Sequence, residues 1–401
     1  MTVPDYDVLI SGGGPAGSAL ALALADGRRR IAVVEPRAGG PGGDARATAL
    51  SEGSVRLLGA LGAWPALAAE AVPIRRVEVS QQGHPGRTRI DAADEGVAAL
   101  GQVVALERLG AALAGRAQAA AGVDWLAPAR VVDAEPGDDD VRVTLAGDAG
   151  DGPCRARLVV AADGTGSPLR EALGIATRVH DYDQTALLAD IDAGGDPYTA
   201  LERFSADGPL ALLPGGGRRR TLVWTVAGER AAAIAALEPP DFAAAAARRL
   251  GRSVGRIEAR AAPAAYPLRL TVAARTTGPR AALVGNAART LHPVAAQGFN
   301  LALRDVCALA AALRPVADPG DAGVLAGWRR GRRGDQRRTQ AFTDLLARGF
   351  HGGGLPGGAV RAGALLGLDL CAAGRHALAA QTMGLVGGLP RVGWWRLGEG
   401  P

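Results

Sequence analysis

The chain has 401 residues, 48% of them hydrophobic, and a formal net charge of +5, with arginine supplying all 45 basic residues. That length supports two or three domains and a large buried core, so a single small module is excluded. The densest basic run, Arg329 to Arg338, is broken by Asp335 and has no interleaved aromatic residues, so it reads as the solvated face of a helix and nucleic acid is not an expected partner.

The first 35 residues form the clearest local pattern. Val8 to Ile10 and Ile31 to Val34 are short apolar runs suited to buried parallel strands. Between them stands Gly12-x-Gly14-x-x-Gly17, opening a helix. The first glycine allows the tight turn, the second lets backbone approach a pyrophosphate, and the third permits close helix-to-sheet packing. Glu35 closes the second strand, 18 residues after Gly17, where a carboxylate accepts from ribose hydroxyls and repels a 2′-phosphate. The pattern predicts a bound dinucleotide, FAD or NAD in preference to NADP.

Asp44-Ala-Arg46 precedes a helical pattern carrying Leu57, Leu58 and Leu61. Arg46 is a candidate for pairing with the pyrophosphate or covering a flavin, against the plainer reading of a surface arginine. Residues 72 to 100 are strand-like with turns, and Gly101-Gln102 leads into an Ala-rich helix. The Gly137 to Asp140 cluster predicts a hairpin turn between Val131-Val132 and Val141 to Leu145. Asp163-Gly164 ends a second apolar strand. A carboxylate there stands above the same sheet edge, although an isolated Asp-Gly is usually only a turn.

From 180 to 270 the composition turns β-rich, with Leu222 to Val226 suited to a sheet that walls a substrate pocket. Residues 229 to 252 read as helical, and 265 to 270 are expected to return the chain to the cofactor domain. An apolar strand, Ala281 to Val284, then runs into a small-residue turn and a donor-rich loop, with a helix beginning near Asn300. Helices are expected to about Leu313 and over roughly 323 to 348. The tail ending in Trp394-Trp395 is expected to pack against protein in preference to membrane. Cys154, Cys307 and Cys371 are far apart, which indicates neither metal site nor disulfide. With no targeting pattern and no apolar run of about eighteen residues, the chain is expected to be cytoplasmic, with at most peripheral membrane contact.

Three separated elements, GGGPAG with Glu35, ADGTGSPLR and GNAARTLHPVAAQGFN, together resemble the single-component FAD-dependent aromatic hydroxylases, which carry a GxGxxG, a DG and a GD motif in this order. The finer match is to the ubiquinone-biosynthesis group, and to the sub-group acting on 2-octaprenyl-6-methoxyphenol, in which Asn also replaces the Asp of the third motif. Trp328, Arg332, Asp335 and Asp344 fit that family's next helix. The resemblance implies an α/β fold: an FAD-binding Rossmann-like parallel sheet domain (1–70, 101–175 and 276–345), an inserted β-rich substrate domain (71–100 and 176–275) and a C-terminal helical region (346–401).

It further implies that Gly12, Gly14, Gly17 and Glu35 hold the ADP half of FAD, that Arg46 and Gln102 contact the cofactor, and that Asp163 and Gly164 serve the DG role. Asn286 would accept from the ribityl chain. Pro293, Gln297, Gly298 and Asn300 would line the isoalloxazine ring. Ala45 and Ala296 stand where relatives carry glycine, and a methyl group at 296 narrows the approach of backbone to flavin. The implied reaction uses NAD(P)H as reductant and O2 as co-substrate, with oxygen adding at flavin C4a before transfer to a lipophilic phenol. Other ubiquinone-biosynthesis proteins are implied partners, and a long apolar groove built from the 186–226 sheet and the C-terminal helices is expected. His292, the one imidazole in this loop, is a candidate for orienting flavin or substrate, with a hydrogen-bonded structural histidine as the alternative. Rival readings are hydroxylation of another ring position or another phenol, a prenyl reductase, and a non-catalytic FAD-binding subunit; a flavin halogenase needs a lysine that this chain lacks.

Overall fold

The computed structural model describes residues 3–40, 46–84, 86–205, 208–251, 254–349, 363 and 365–390. Five parallel strands lie side by side in the order Ala281–Leu283, Gly152–Ala161, Tyr6–Ser11, Ile31–Val34 and Val123–Leu126. Their sequences are continuous apolar runs because both faces are covered: Val8, Leu9 and Ile10 are fully buried, one cluster of side chains packing on each side of the sheet. The expected hairpin forms between Arg130–Pro136 and Val141–Ala146, closed by Gly137 N–H to Asp140 O at 2.7 Å.

A second, nine-stranded sheet contains the long strand Thr177–Asp192 flanked by Arg219–Ala227 and Ala264–Ala273. Residues 265 to 270 thus lie in this sheet, inside the 176–275 bounds expected for the substrate domain and short of the return to the cofactor domain; their strand pairs with Thr177–Asp192 on one side and, at Thr271 and Val272, with Arg289–Thr290 on the other. Arg76–Gln81 and Arg87–Asp91 extend the same sheet, whereas Val72–Ile74 pairs with Gly101–Ala105 in a three-stranded sheet that also holds Ala47–Ser51. The helices Gly228–Ala235 and Pro239–Leu250, separated where Pro239-Pro240 stops the first, cover one face of the large sheet, Phe242 of the second packing on Trp224 of the sheet at 5.8 Å between ring centroids. Its other face is turned to the cofactor domain: Ala200 of the large sheet packs with Ile74 and Val103 of the small one.

The helices Gln297–Leu313 and Ala322–Gly349 pack together behind the parallel sheet. The first begins three residues earlier than the sequence pattern predicted. Between the two helices lies a buried ionic cluster. Asp305 accepts from Arg332 Nε at 2.6 Å and Gln336 Nε2 at 2.9 Å, and Asp335 accepts from Arg304 Nε at 2.9 Å. Trp328 Nε1 donates to Asp305 O at 3.1 Å. The spacing of Trp328, Arg332 and Asp335 is therefore that of one helix face locked onto Asp305. Asp344, more than two turns further along the same helix, accepts from Tyr182 of the large sheet. The C-terminal helix Ala372–Thr382 closes one edge of the large sheet, with Ala379 and Met383 packed on Ile90. Trp394-Trp395 lies outside the described residues.

Candidate functional site

The C-terminal ends of the parallel strands assemble one cradle. Gly12 has φ +103°, and a Cβ there would stand 2.6 Å from Ala162 O; a Cβ at Gly17 would stand 1.9 Å from Gly12 O. Both glycines are therefore required by the protein's own backbone. Gly14 differs, because it has φ −62° and nothing within 4 Å of a built Cβ. Steric pressure for glycine at 14 has to come from what lies against the turn. Gly14 is also the N-cap of the ten-residue helix Pro15–Leu24, which has no side-chain cap, so its first amides face outward, a favourable position for phosphate. Glu35, 5% exposed, accepts from Gly13 N–H at 2.9 Å and Arg37 N–H at 3.2 Å, which fixes its carboxylate beside the turn.

Asp163 is drawn into the same edge. Its Oδ2 accepts from Ser11 Oγ at 2.9 Å and Leu169 N–H at 3.1 Å, while Oδ1 is buried with no partner among the described residues. An ionised carboxylate only accepts, so a buried unpaired oxygen calls for an external donor such as a ribose or ribityl hydroxyl. Arg170, the last residue of the ADGTGSPLR element, for which the sequence suggested no specific contact, clamps the neighbouring loops: its Nη1 donates to Thr165 O at 2.8 Å and Ala287 O at 3.2 Å. The only sequence signal for it was its place just after the Asp-Gly turn.

The second half of the cradle is the 285–300 segment. Gly285, at φ +59°, brings a built Cβ 3.0 Å from Ala16 Cβ, so the turn abuts the first helix. Asn286 is exposed at the start of the short helix Gly285–Ala288, and Pro293 is exposed beyond it. Gly298 has open space over its Cα. Gln297 Nε2 donates to Ala295 O at 3.1 Å and Thr382 O at 3.4 Å, leaving Oε1 buried and without a partner among the described residues. Asn300 is committed elsewhere. Its Oδ1 accepts from Ser51 N–H at 2.9 Å, and Nδ2 donates to Ala49 O at 2.9 Å and Ala296 O at 2.7 Å, so it ties the loop to the small sheet. Ala295 and Ala296 both adopt left-handed backbone, at φ +60° and +48°, a conformation that costs a non-glycine residue about 1–2 kcal/mol.

His292 is 2% exposed. Val294 N–H donates to its Nδ1 at 3.1 Å, so the proton sits on Nε2, which donates to Gln184 Oε1 at 3.1 Å. Tyr182 packs edge-on to the ring at 5.0 Å. Gln184 and Tyr182 were not singled out in the sequence, where a strand of mixed polarity gives no signal for them. Arg46 is exposed and stacks over Tyr266 at 4.9 Å, and Gln102 is half-buried in Gly101–Ala105. Asp44 and Ala45 lie outside the described residues. Two buried acceptors without partners, Asp163 Oδ1 and Gln297 Oε1, together with the open Gly14 turn, fit a hydroxyl-rich dinucleotide laid from Gly14 to Gly298.

Comparison with known proteins agrees with that geometry. A family model described as "FAD binding domain" matches residues 5–338. The chain belongs to the FAD binding domain family. Ubiquinone hydroxylase UbiL of Rhodospirillum rubrum is 36% identical over 354 residues, covering 86% of this chain and 81% of that protein. The 3-demethoxyubiquinol 3-hydroxylase of Escherichia coli is 31% identical, covering 87% and 91%. Among solved structures, p-nitrophenol 4-monooxygenase PnpA from Pseudomonas putida superimposes with a TM-score of 0.77 at 17% identity over 94% of this chain and 97% of that one, which shows the shared fold.

This flavoprotein is therefore a member of the FAD-dependent monooxygenases, with FAD as cofactor. Among the described residues there is no metal-ligating cluster and no helix long and apolar enough to cross a membrane. Burial pushes the Cys307 and Cys154 thiols up to about 12 and about 11, which leaves both inert as nucleophiles at neutral pH. A cavity of about 360 Å³ is bordered by Ala47 and Val103 of the small sheet and by Asp190, Arg220 and Thr221 of the large one.

Proposed function

We propose that this protein hydroxylates the aromatic ring of a lipophilic, polyprenylated phenol in ubiquinone biosynthesis, with NAD(P)H as reductant and O2 as co-substrate. The observation that carries the reading is that relatives named as ubiquinone hydroxylases align over more than four fifths of both chains. Bound FAD supplies the redox and oxygen-transfer chemistry. The protein's part is to hold, orient and dry the site.

Gly12, Gly14, Gly17 and Glu35 hold the ADP half in this reading, and Asp163, through its unpaired Oδ1, accepts from a sugar hydroxyl. Asn286 accepts from the ribityl chain, where an amide oxygen does what a carboxylate does with less charge assistance. Gln297 and Gly298 face the ring, with Pro293 at its margin; Arg46 and Gln102 complete the contacts. Asn300 and His292 act through the loop. Asn300 fixes its backbone, and neutral His292 joins it to the large sheet through Gln184. The apolar tail of the substrate lies along the large sheet beneath the C-terminal helix, and the protein works at a membrane surface beside other enzymes of the pathway.

Purified FAD-loaded protein, NADPH and a set of defined phenols test this. Substrate-stimulated NADPH oxidation with a ring-hydroxylated product is expected. FAD binding with no stimulation by any phenol identifies a non-catalytic flavin-binding subunit instead, and absent oxygen consumption with a reduced prenyl chain identifies a reductase.

A further inference from the structure

The face of the nine-stranded sheet that looks toward the cofactor domain has a cleft across its floor, and one carboxylate stands in it. Strand alternation puts Ala200, Glu202 and Phe204 of Thr199–Ser205 on this face, since Ala200 packs on Val103 and Ile74 of the small sheet. The pairing register then sets a lateral row at the level of Glu202. Leu188 lies opposite Val223, Val223 opposite Ala211, Ala211 opposite Glu202, Glu202 opposite Val79, and Val79 opposite Thr88. Leu188, Val223, Ala211, Glu202 and Val79 are all partly accessible. On one side the neighbouring level is closed by buried Phe204, Gln81, Thr225 and Ala186. On the other, Ala200 and Thr221 are buried, Val77 and Leu213 are half-open and Asp190 is exposed, so the row is a shallow trough walled on one side and open on the other toward the cavity bordered by Val103, Asp190 and Thr221. Apart from Glu202, the partly accessible members of the row are apolar.

We propose that Glu202 is the residue in this trough that accepts the hydroxyl of the phenolic substrate and takes up its proton as the ring is hydroxylated, a role that rests on the phenol hydroxylase reading above. Glu202 makes no hydrogen bond or ion pair with any described residue, so nothing in the described protein competes for its lone pairs. Burial alone pushes its carboxyl up to about 7, which makes its conjugate base a stronger acceptor than an exposed glutamate. The other titratable or charged side chains turned to this side include Asp190, Asp192 and Arg219 of the same sheet, Tyr266 with Arg46 stacked on it, and His292; none is among the causes of that shift. The proton balance is simple. The phenolic O–H bond breaks, its electron pair stays on oxygen and raises the electron density of the ring, and the proton forms a new O–H bond on the Glu202 carboxylate. A carboxylate placed so also selects: a phenol is held at one end by its hydroxyl, while an ether of the same shape leaves Glu202 unpaired in an apolar trough.

The test uses full-length, FAD-loaded protein and two probes, 2-prenylphenol and its methyl ether 2-prenylanisole. Dissociation constants are read from the perturbation of the flavin absorbance, and KM and kcat for the phenol from NADPH oxidation with product analysis. Wild type is expected to bind the phenol about tenfold more tightly than the ether. Glu202→Leu, which keeps volume and removes the acceptor, should erase that preference: phenol affinity falls about tenfold, ether affinity stays within about twofold, and both KM and kcat for the phenol suffer. Glu202→Asp should recover part of the preference, and it carries the test if the leucine variant fails to load FAD. Undiminished preference for the phenol in Glu202→Leu, with phenol-stimulated NADPH oxidation intact, overturns the role of Glu202 while leaving the hydroxylase reading standing. Absence of phenol-stimulated NADPH oxidation in the wild type overturns both.

Discussion

Gly14→Leu separates what the fold requires from what the cofactor requires. The built Cβ at 14 meets nothing within 4 Å and φ is −62°, so the apo-protein should tolerate the side chain. Replacing an N-cap glycine by leucine costs the helix less than about 1 kcal/mol. The same side chain occupies the path by which a pyrophosphate reaches the helix amides, and FAD affinity should fall at least a hundredfold. At an FAD concentration of about 100 times the wild-type Kd, the ligand stabilises the wild type by about 2.7 kcal/mol; after a hundredfold loss only about 0.4 kcal/mol remains. Thermal unfolding with and without FAD, together with a titration of flavin fluorescence, measures both quantities. Gly17→Ala is the contrast, because its Cβ would lie 1.9 Å from Gly12 O and should destabilise the apo-protein itself. Wild-type FAD affinity in Gly14→Leu refutes the placement of the cofactor against this turn.

Four further outcomes are expected. Ala296→Gly relieves left-handed backbone at φ +48° and should raise stability by about 1 kcal/mol, seen as a higher Tm in the apo-protein. Asp305→Ala strips Arg332 and Gln336 of a buried partner and should cost about 3–5 kcal/mol in urea unfolding, with conserved stability ruling out the cluster as the clamp between the two helices. His292→Ala removes the link to Gln184 and should uncouple NADPH oxidation from hydroxylation while FAD stays bound; full coupling in the variant contradicts a positioning role. Glu202 titrates at about 7 in the fold against 4.5 for the free side chain, so the folded state holds the extra proton and stability declines as pH rises from 4.5 to 7. That window of about 2.5 pH units corresponds to at most about 3–4 kcal/mol, an upper limit because the group is partly accessible. Glu202→Leu should accordingly gain stability over wild type at pH 8 and gain little of it at pH 4.5.

The parallel sheet and the dinucleotide turn were legible because their physics is local. Doubly covered strands must be continuously apolar, and Gly12 and Gly17 answer to backbone atoms a few residues away or on the adjacent strand. Asp163 could be placed for the same reason, as the end of an apolar strand. Asn300 shows where this stops. Its position in the loop suggested the ring, yet its amide is spent on Ala296, four residues away, and on Ser51 and Ala49, 249 and 251 residues distant in sequence, partners that no pattern announces. The strand at 265–270 fell inside the 176–275 bounds expected for the substrate domain, but its partners were not legible because only long-range pairing decides them. Glu202 was invisible for a related reason: one charge in a β-rich stretch is unremarkable until the register across several strands shows that its neighbours are apolar and half-open. Arg170 and Gln184 likewise acquire meaning only from what they join.

The central claim is oxygen transfer from O2 to a phenol on FAD held in this cradle. The most direct measurement is mass spectrometry of the product formed by FAD-loaded protein from NADPH, 2-prenylphenol and ¹⁸O₂. Incorporation of one ¹⁸O atom into the ring, accompanied by NADPH oxidation that depends on the phenol, is the predicted result. Bound FAD with no labelled product, and NADPH oxidation indifferent to every phenol supplied, contradicts the account.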